Sequence, residues 1–483
     1  MRASEEAAIS RGVSVEKLMD RAGAGVAKTV RQFFPDPGKC IVFAGKGHNG
    51  GDALVAATHL KKAGWQIDIQ LPFPEENCSE LTRKKLQTFR DEPENTSSDG
   101  ANKVILDGLL GTGAKSFLRE PLRRAAREIN RLRRDESYFV FSIDLPTGLD
   151  ADSGETDPED SVIADFTVTM GFAKHGLIVD SALDFVGHIE VVPLADLIPD
   201  AAPPNELAAA PHSLNALLPR RKFRSYKNQF GRIGVLAGSR GFVGAALMTT
   251  EGALRAGAGL VDLFVPEEIY EIAASTAPVE AMVKPVRRYR DLLEENVDVW
   301  AVGPGLGTGR ASDTLNLIEN AQQPMIVDAD GLNVLADKTD ILRRCRGPRL
   351  LTPHPGEIQR LFDVGKMARA GVAKNFSEQY PVTLLFKGSR TIVAERGKAI
   401  SYNTTGNPGM STGGMGDVLT GVCAGLAGRK LSLYDTARIG AWVCGRAAEI
   451  AIFNFGASEE SLLATDVLNH LGNAFNELRN PVV

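Results

Sequence analysis

Residues 403–428 read NTTGNPGMSTGGMGDVLTGVCAGLAG, a run that contains eight glycines and turns helical in its second half. From Asp417 onward, leucine and valine recur on one helical face, which predicts a glycine-rich loop that leads into a helix over 417–428. The free N–H groups at a helix N-terminus stabilise an anion such as phosphate. Asp417 is placed to accept a proton from a hydroxyl group that attacks a phosphoryl group. The run therefore indicates a small-molecule kinase site without a P-loop; the alternative is a plain helix cap at Asp417 with glycines that pack helices.

Four further loops of the second half follow strand-like apolar segments. They are GPGLGTG at 303–309, DADGLN at 328–333, TPHPGE at 352–357 and KGSRT at 387–391. Ligands of an open α/β sheet bind beyond the carboxyl ends of its strands, so we expect these loops to converge. Carboxylates at 328–330 can help to hold Mg²⁺, and Lys387 with nearby backbone N–H groups can bind phosphates. Two prolines fix the direction of His354, although a lone histidine is more often structural.

Three loops of the first half also follow strand-like segments: HNGGD at 48–52, DGLLGTG at 107–113 and DLPTGLD at 144–150. Asp107 and Asp144 each end an apolar strand. Together with Asn49 and Thr147 they can hold a hard cation, which prefers oxygen ligands, and one aspartate can then act as an acid or base. The alternatives are ordinary turn residues at the two aspartates and a helix cap at Asp52.

Two nucleotide-binding motifs match the first half only in part. The dinucleotide pattern GxGxxG begins at Gly45, but the acid expected to end the next strand, Asp68, lies inside QIDIQL. The loop after Asp107 has the glycine spacing of a P-loop, but Ala114 separates the second glycine from the lysine. The sequence therefore gives weak support to a Rossmann dinucleotide site and excludes a Walker A motif.

In this order, HNGGD, DGLLGTG and DLPTGLD resemble the epimerase domain of NAD(P)H-hydrate repair enzymes over residues 1–198. The resemblance implies a three-layer, Rossmann-like domain that interconverts the R and S forms of hydrated NAD(P)H at ring carbon 6. It also implies a potassium ion on Asn49, Asp107 and Thr147, and catalytic contacts from Asp144 and Lys174. The implied substrate cradle comprises His48, Asn49, Gly50, Gly51, Asp52, Gly111, Thr112, Gly113, Ala114, Lys115, Ser116, Phe117 and Asp144. Two residues depart from the family pattern, since His48 replaces the usual asparagine and Thr147 the usual serine.

GPGLG, DADGLN, TPHPGE, KGSRT and GNPGMSTGGMGD resemble, in order, the ribokinase-like dehydratase domain of the same repair system over about residues 207–480. The resemblance implies that a nucleotide phosphorylates the C6 hydroxyl group of the S hydrate, and that phosphate then leaves to restore NAD(P)H. Asp417 would be the base. The implied hydrate contacts are Ala253, Gly307, His354 and Asp417, and the implied nucleotide contacts are Lys387, Gly388, Ser389, Arg390, Thr391 and Gly416. ADP or ATP can be the phosphoryl donor, and the fused arrangement favours ADP.

Two other functions match parts of the sequence. A vitamin-precursor kinase, such as a relative of hydroxyethylthiazole kinase, has a similar loop before the helix at Asp417. In a second alternative, the first half is a binding module that lost catalysis through His48. Recovery of both hydrate epimers by the protein would exclude these alternatives.

The clearest change in composition lies at 199–222, where five prolines predict an irregular connection. On either side, apolar β-branched runs alternate with helical patterns, which indicates two α/β domains with parallel, doubly wound sheets. The predicted strands are 40–44, 66–71, 103–106, 139–143, 166–170, 232–237, 260–265, 297–302, 324–327, 350–352 and 383–386, and the predicted helices include 52–63, 122–134 and 245–256. We predict a Rossmann-like epimerase domain over 1–198, a linker over 199–206 and a ribokinase-like dehydratase domain over 207–483.

Composition and charge exclude several classes of protein. The chain has 483 residues, of which 43% are apolar, and a net charge of −5, which argues against nucleic acid as a partner. Five scattered cysteines argue against a disulfide framework or a zinc site and are typical of a reducing cytoplasm. Since no signal peptide or membrane-spanning apolar run is visible, we expect a cytoplasmic protein. We also expect a homo-oligomer that acts on small molecules. The arginine-rich segment 119–134 is predicted to be a solvated helix face rather than a polyanion site.

Overall fold

The computed structural model describes residues 2–94, 100–113, 117–198 and 204–481, which form two compact units divided at residues 203–204. The first unit holds a six-stranded sheet and the second a ten-stranded sheet. All five cysteines are free. Within the described ranges, no helix combines the length and the apolar character needed to cross a membrane.

The sheet of the first unit is parallel throughout. Its strands are Lys39–Ala44 (β1), Gln66–Gln70 (β2), Lys103–Gly108 (β3), Phe139–Ile143 (β4), Phe166–Met170 (β5) and His188–Val192 (β6). Their order across the sheet is β2-β1-β3-β4-β5-β6. The helices are Arg2–Ser10 (α1), Val15–Phe33 (α2), His48–Lys62 (α3), Glu80–Asp91 (α4), Leu122–Glu136 (α5) and Leu183–Val186 (α6).

The central strands of this sheet are buried along their length. Every residue of β5 is buried, and so is every residue of β3 except the first. Because successive side chains of a strand point to opposite faces, both faces of these strands are covered. The rings of Phe141 and Phe166 stack 4.3 Å apart, and Phe33 of α2 packs 4.5 Å from Phe166. The prediction of a three-layer, Rossmann-like unit is confirmed.

The sheet of the second unit is mostly parallel. Its strands are Glu206–Ala209 (β7), Arg232–Leu236 (β8), Leu260–Pro266 (β9), Met282–Val286 (β10), Val299–Val302 (β11), Met325–Val327 (β12), Arg349–Leu351 (β13), Thr383–Phe386 (β14), Ile392–Ala394 (β15) and Ile400–Asn403 (β16). Their order is β10-β9-β8-β11-β12-β13-β14-β15-β16-β7, and β15 is antiparallel to both of its neighbours. The helices are Pro211–Leu214 (α7), Val243–Arg255 (α8), Tyr270–Thr276 (α9), Ala311–Asn320 (α10), Asp330–Leu335 (α11), Pro355–Leu361 (α12), Arg369–Gln379 (α13), Met415–Ala427 (α14), Leu433–Phe453 (α15) and Ala464–Arg479 (α16).

The helix after the glycine-rich loop, α14, packs closely against α8. A Cβ atom on Gly421 would lie 2.0 Å from the carbonyl oxygen of Thr249, and one on Gly425 would lie 2.5 Å from that of Ala253. Two helix backbones can approach this closely only where one residue has no side chain. The glycines inside α14 therefore serve helix packing, as the alternative interpretation of this run supposed.

This helix begins two residues earlier than the sequence predicts. Its N-cap is Gly414, which has a φ of 89°, and its first residue is Met415. Glycine is the residue that adopts such a left-handed conformation without steric strain. Asp417 is consequently the third helical residue, so it lies in the first turn and does not cap the helix.

The arginine-rich segment forms α5, and its charges are paired. Arg127 lies 2.7 Å from a carboxylate oxygen of Asp160, and Arg133 lies 2.7 Å from one of Asp165. Within the helix, Arg131 contacts Glu128 at 2.7 Å. The three arginine side chains are also 36–56% exposed, so the prediction of a solvated helix face is confirmed.

Candidate active sites

Asp107 is a fully buried carboxylate near the end of β3 that joins neighbouring segments. Its Oδ1 accepts hydrogen bonds from the Thr147 hydroxyl group at 2.7 Å and the Leu109 N–H at 3.3 Å. Its Oδ2 accepts from the Ser142 hydroxyl group at 2.8 Å and the Thr147 N–H at 2.9 Å. Burial raises the pKa of Asp107, and the hydrogen bonds from Thr147 and Ser142 oppose this shift only in part. The loops after β3 and β4 therefore converge, as predicted.

Asn49 belongs to the same cluster through the backbone of Leu110. Its Nδ2 donates to the Leu110 carbonyl group at 2.9 Å, and the Leu110 N–H donates to Thr147 Oγ1 at 3.3 Å. Protein donors already occupy four acceptor positions on Asp107, so a cation beside this carboxylate would also need the side-chain oxygens of Asn49 and Thr147. An all-oxygen donor set beside one carboxylate suits a hard cation of low charge.

Asp144 and Lys174 form a buried ion pair in the first unit. Lys174 Nζ contacts Asp144 Oδ1 and donates hydrogen bonds to Thr169 Oγ1 at 2.8 Å and to the Met170 carbonyl group at 3.2 Å. The other carboxylate oxygen of Asp144 accepts from the Thr112 N–H at 3.2 Å. Asp144 has a φ of 70°, which is uncommon outside glycine and often marks functional sites. The pair offers a carboxylate and an ammonium group that can exchange a proton with a bound hydroxyl group.

Gly111 and Asp52 also lie near this ion pair. A Cβ atom on Gly111 would be 3.2 Å from Asp144 Oδ2, so the loop backbone passes directly beside the carboxylate. Burial and the nearby Asp144 carboxylate raise the pKa of Asp52 well above its ordinary value. The alternative of a helix cap at Asp52 is wrong, because Asp52 is the fifth residue of α3 and Gly47 is its N-cap.

The remaining residues of the predicted cradle differ widely in exposure. His48 is exposed at the start of α3, and the Phe117 side chain is 80% exposed. Gly50 and Gly51 are buried, and a Cβ atom on Gly50 would lie 1.9 Å from the Gly45 carbonyl oxygen. Gly113 is exposed. Ala114, Lys115 and Ser116 lie outside the described residues.

In the second unit, Asp328 lies directly after β12 and joins three of the predicted site segments. Its side chain is 2% exposed. Lys387 Nζ donates to Asp328 Oδ1 at 2.7 Å and lies 3.8 Å from Glu357 Oε2, while Thr420 Oγ1 donates to Asp328 Oδ2 at 2.9 Å. Burial lowers the pKa of Lys387, but Asp328 and Glu357 outweigh this effect and raise it, so the lysine stays charged.

Asp417 and Gly416 lie in the first turn of α14 beside this ion pair. A Cβ atom on Gly416 would be 3.3 Å from both Asp328 Oδ2 and Lys387 Nζ. Burial and the Asp328 carboxylate raise the pKa of Asp417 to about 6, although Lys387 acts in the opposite direction. A carboxylate of this pKa is a stronger base than an ordinary aspartate and is still ionised at neutral pH. The structure thus brings a base, an ammonium group and a helix N-terminus together.

Hydrogen bonds fix two neighbouring strand-end loops. Asp330 Oδ2 accepts from the Gly307 N–H at 2.8 Å, which holds the GPGLGTG loop against the start of α11. His354 caps α12. Its ring Nδ1 accepts from the Gly356 N–H at 3.0 Å, and its backbone N–H donates to Glu357 Oε2 at 2.8 Å. The first loop is thus tied to α11, which begins two residues after Asp328. The second loop is tied to Glu357, which lies near Lys387.

Other predicted contacts of the second unit lie at different depths. Ala253 is fully buried in α8, where its backbone faces Gly421 and Gly425, so it occupies a packing position rather than an open one. Gly388, Ser389, Arg390 and Thr391 follow Lys387 in the turn between β14 and β15. Within that turn, the Arg390 side chain is buried.

Sequence reasoning missed three polar residues that shape this site. Thr420 and Glu357 hold Asp328 and Lys387, as described above, and Glu449 of α15 accepts the Gly406 N–H at 2.6 Å. Thr420 follows Asp417 by three residues and so lies on the same helix face, which is a signal that the sequence does contain. Nothing local identifies Glu449, because its contact spans 43 positions along the chain.

Comparisons with known proteins agree with the division into two units. A family model described as NAD(P)H-hydrate dehydratase matches residues 233–471, and one described as YjeF-related protein N-terminus matches residues 15–176. The bifunctional NAD(P)H-hydrate repair enzyme of Moorella thermoacetica is 33% identical, and the alignment covers 96% of this chain and 93% of that protein. The enzyme of the same name from Escherichia coli is 34% identical over 98% of this chain and 92% of its own length.

A solved structure shares the fold of the second unit. The ribokinase-like superfamily protein from Enterococcus faecalis aligns with 59% of this chain and 100% of its own length, with a TM-score of 0.50 and 24% sequence identity. The predicted ribokinase-like fold is therefore confirmed.

Proposed function

Because the chain belongs to the family of bifunctional NAD(P)H-hydrate repair enzymes, we propose that it performs two reactions on one polypeptide. The first unit interconverts the R and S forms of hydrated NAD(P)H. The second unit dehydrates the S form at the expense of ADP or ATP. The observation that carries the proposal is the cluster of Asp417, Asp328 and Lys387 at the N-terminus of α14.

Phosphoryl transfer is the first step that we assign to the second unit. Asp417 accepts the proton of the C6 hydroxyl group while that oxygen attacks the terminal phosphoryl group of the nucleotide. The N–H groups of the first turn of α14 and the Lys387 ammonium group stabilise the charge on the phosphoryl oxygens. The P–O bond between the terminal phosphoryl group and the rest of the nucleotide breaks, so AMP leaves from ADP and ADP leaves from ATP. Residues 387–391 and Gly416 bind the nucleotide, and Gly307 and His354 bind the hydrate.

Loss of phosphate completes the dehydration. The C6–O bond breaks with its electrons going to phosphate, and the neighbouring ring carbon loses a proton, so the ring double bond of NAD(P)H forms again. Phosphate is a far better leaving group than hydroxide, which is why consuming a nucleotide accelerates the loss of water.

Proton transfer at the C6 hydroxyl group is the role that we assign to Asp144 and Lys174. As the hydroxyl group loses its proton, the bond between C6 and the ring nitrogen breaks, the nitrogen takes a proton and C6 becomes an aldehyde carbon; closure on the other face reverses these transfers and gives the other epimer. Their ion pair is buried, and the Thr112 N–H fixes the orientation of the carboxylate. Residues 48–52 and 111–117 cradle the substrate. His48, where the family usually has asparagine, is exposed at the start of α3, and we assign it to substrate binding rather than to proton transfer at the buried pair.

Two cations suit the side chains of these sites. Asn49, Asp107 and Thr147 would hold K⁺, which supplies positive charge beside a buried carboxylate. Mg²⁺ would enter with the nucleotide, and Asp328 and Asp330 lie where they can help to bind it. In the described ranges no group of three His, Cys, Asp or Glu side chains could hold a metal alone, and Mg²⁺ commonly uses one or two carboxylates plus substrate phosphates.

The organisation of the chain follows from this assignment. We assign the epimerase to residues 1–198 and the dehydratase to residues 207–483, and the linker predicted over 199–206 ends before Glu206, the first residue of β7. The substrates are the NADH and NADPH hydrates, neither nucleic acid nor a membrane is a partner, and the protein acts as a cytoplasmic homo-oligomer. The cytoplasm is where free nicotinamide coenzymes and nucleotides are both available to it.

An assay that resolves the two epimers tests the proposed function. Purified protein is added to mixed R and S NADH hydrate, and the absorbance of reduced nicotinamide is followed with ADP, with ATP and without nucleotide. We expect recovery of both epimers with a nucleotide and of neither without one. Recovery of the S form alone would contradict the epimerase assignment, and recovery that ignores nucleotide would contradict the dehydratase assignment.

A further inference from the structure

A strongly basic segment precedes β8 in the second unit. Between Glu206 and Glu251 the sequence holds seven lysines and arginines and no acidic residue, and five of the seven lie in PRRKFRSYK at 219–227. This segment lies at the amino ends of β8 and β9. Asp328 and Lys387 follow the carboxyl ends of parallel strands in the same sheet, so the segment lies at the opposite edge from the dehydratase site.

A cavity of about 320 Å³ opens within this segment, a size at the lower end of small-molecule sites. We call it the Arg221 cavity; it is lined by Arg221, Lys222, Tyr226, Lys227 and Phe230, among others. The Arg221 guanidinium group lies 3.8 Å over the Phe230 ring and donates to the Gly257 carbonyl group at 2.6 Å. These two contacts fix the position of Arg221, so part of the lining is held in place without a ligand.

Three more arginines, Arg220, Arg429 and Arg479, lie near this lining. Arg429 stacks 5.9 Å from the same Phe230 ring and donates to the Pro219 carbonyl group at 2.8 Å. Burial and the charges of Arg479 and Arg221 lower the pKa of Arg429, and burial with Arg220 and Arg221 does the same for Arg479. Arg479 therefore lies within electrostatic reach of Arg220, Arg221 and Arg429.

Within the described part of the chain, the arginines of this cluster differ from those of α5 in having no acidic partner. Among the residues that the structure describes, no carboxylate oxygen lies within 4.0 Å of Arg220, Arg221, Arg429 or Arg479. The arginines of α5, by contrast, are matched with carboxylates of Asp160, Asp165 and Glu128. Mutual repulsion without compensation is unfavourable, and a bound anion would relieve it.

We propose that the Arg221 cavity is a second, non-catalytic binding site for the pyrophosphate group of a nucleotide or dinucleotide. Arginine and lysine donors at a concave surface match phosphate oxygens in charge and hydrogen bonding. The Tyr226 residue is 61% exposed beside them and offers a ring on which a base can stack. A nucleic acid is disfavoured, because the chain is acidic as a whole and these cations surround a cavity rather than forming a long stripe.

Calorimetric titration tests this site with inorganic pyrophosphate, ADP and NADH as separate probes. The parent protein is compared with a Lys222→Ala, Lys227→Ala double variant, whose two altered side chains are exposed and line the cavity. Arg224→Ala is the matched control, because it removes a cation of the same segment that is absent from the lining. Binding at the dehydratase site persists in all three proteins, so the difference between them isolates the Arg221 cavity.

For pyrophosphate, we expect the affinity of one binding event to fall at least about tenfold in the double variant. In the control, the same affinity should stay within about twofold of the parent value. Tighter binding of ADP than of NADH would identify a mononucleotide as the source of the pyrophosphate group, and the reverse order a dinucleotide. Identical isotherms for parent and double variant would overturn the proposal, and so would equal losses in double variant and control. Binding of a labelled oligonucleotide, sensitive to the double variant without any pyrophosphate difference, would replace the proposal with a nucleic-acid site.

Discussion

Two neighbours of opposite charge, Asp328 and Lys387, shift the pKa of Asp417 in opposite directions. Burial and the Asp328 carboxylate raise its pKa, whereas Lys387 lowers it, and the balance leaves the pKa at about 6. The group is therefore basic enough to accept a proton and still ionised at neutral pH. Thr420 and Glu357 matter because they hold Asp328 and Lys387 where they set this balance.

Replacing Asp417 with alanine should slow nucleotide-dependent dehydration of the S hydrate by about 10²–10⁴-fold, the usual contribution of a positioned base. Initial rates with saturating nucleotide are the measurement. Asp435→Ala is the matched control, because Asp435 is likewise the third residue of its helix, α15, where its backbone N–H donates to the N-cap residue Ser432. A rate for Asp417→Ala within about tenfold of the parent would remove Asp417 from the mechanism.

The pH dependence of dehydration should follow the pKa of Asp417. Because only the ionised carboxylate accepts a proton, the rate should fall about tenfold per pH unit below about 6 and be level above it. The free energy of unfolding changes with pH in the opposite direction. The pKa of Asp417 in the folded protein exceeds its ordinary value of 3.8, so ionisation of Asp417 lowers the stability as the pH rises from about 3.8 to about 6. Asp417→Asn should thus remove the acid limb without lowering the unfolding temperature at neutral pH. An acid limb near the ordinary aspartate value would contradict the tuned base.

At the level of helices and strands, the sequence predicted the buried parallel strands and missed others at the sheet edges. β3, β4 and β14 are continuous apolar runs, because both of their faces are covered. β10 at one edge contains a proline and is only half buried, and β7 at the other edge lies beside the proline-rich connection, so neither gives a clear pattern. β6, β15 and β16 were also missed.

Local patterns predicted the site loops but could not predict which of them touch. Asp328 and Lys387 are 59 positions apart, and Asp107 and Thr147 are 40 apart, so only the fold brings them together. The glycine-rich run had two alternative interpretations, and both hold in part. Gly414 and Gly416 shape the loop beside the ion pair, whereas Gly421 packs α14 against α8.

The packing of α14 on α8 predicts opposite effects for two glycine substitutions. Gly421→Ala should destabilise the protein by about 1–3 kcal/mol or more, because its Cβ atom would lie 2.0 Å from a backbone oxygen. Gly472→Ala, in the exposed face of α16 with nothing within 4 Å, should stabilise by about 0.5–1 kcal/mol through helix propensity. Denaturant unfolding measures both. Equal effects of the two substitutions would show that the close helix approach is wrong.

At the scale of the whole molecule, the two reactions form a sequence, since the epimerase converts the R hydrate into the S form that the dehydratase uses. Fusing them on one chain keeps their amounts equal. The two sites lie in separate compact units, each with its own sheet. We expect the S hydrate to be released into solution between the two reactions.

Two variants that each lack one of the two activities should complement each other in one solution. Asp144→Asn should dehydrate the S hydrate at the parental rate and leave the R form, whereas Asp417→Ala should interconvert the epimers without forming NADH. Their mixture should recover both epimers with a nucleotide, because the intermediate diffuses between molecules. Absorbance of reduced nicotinamide follows the reaction. A mixture that recovers only the S form would show that the R form needs both sites in one chain, and recovery of both epimers by Asp144→Asn alone would show that Asp144 has no such role.

The fate of the C6 oxygen atom distinguishes phosphoryl transfer from direct loss of water. S hydrate that carries a heavy oxygen isotope in its C6 hydroxyl group is converted with ADP or ATP, and the released phosphate is analysed by mass spectrometry. Attack of that hydroxyl group on the nucleotide, with Asp417 as base, predicts that the label appears in inorganic phosphate with one labelled oxygen per NADH formed. Label in water, with unlabelled phosphate, would contradict phosphorylation of the hydrate at this site.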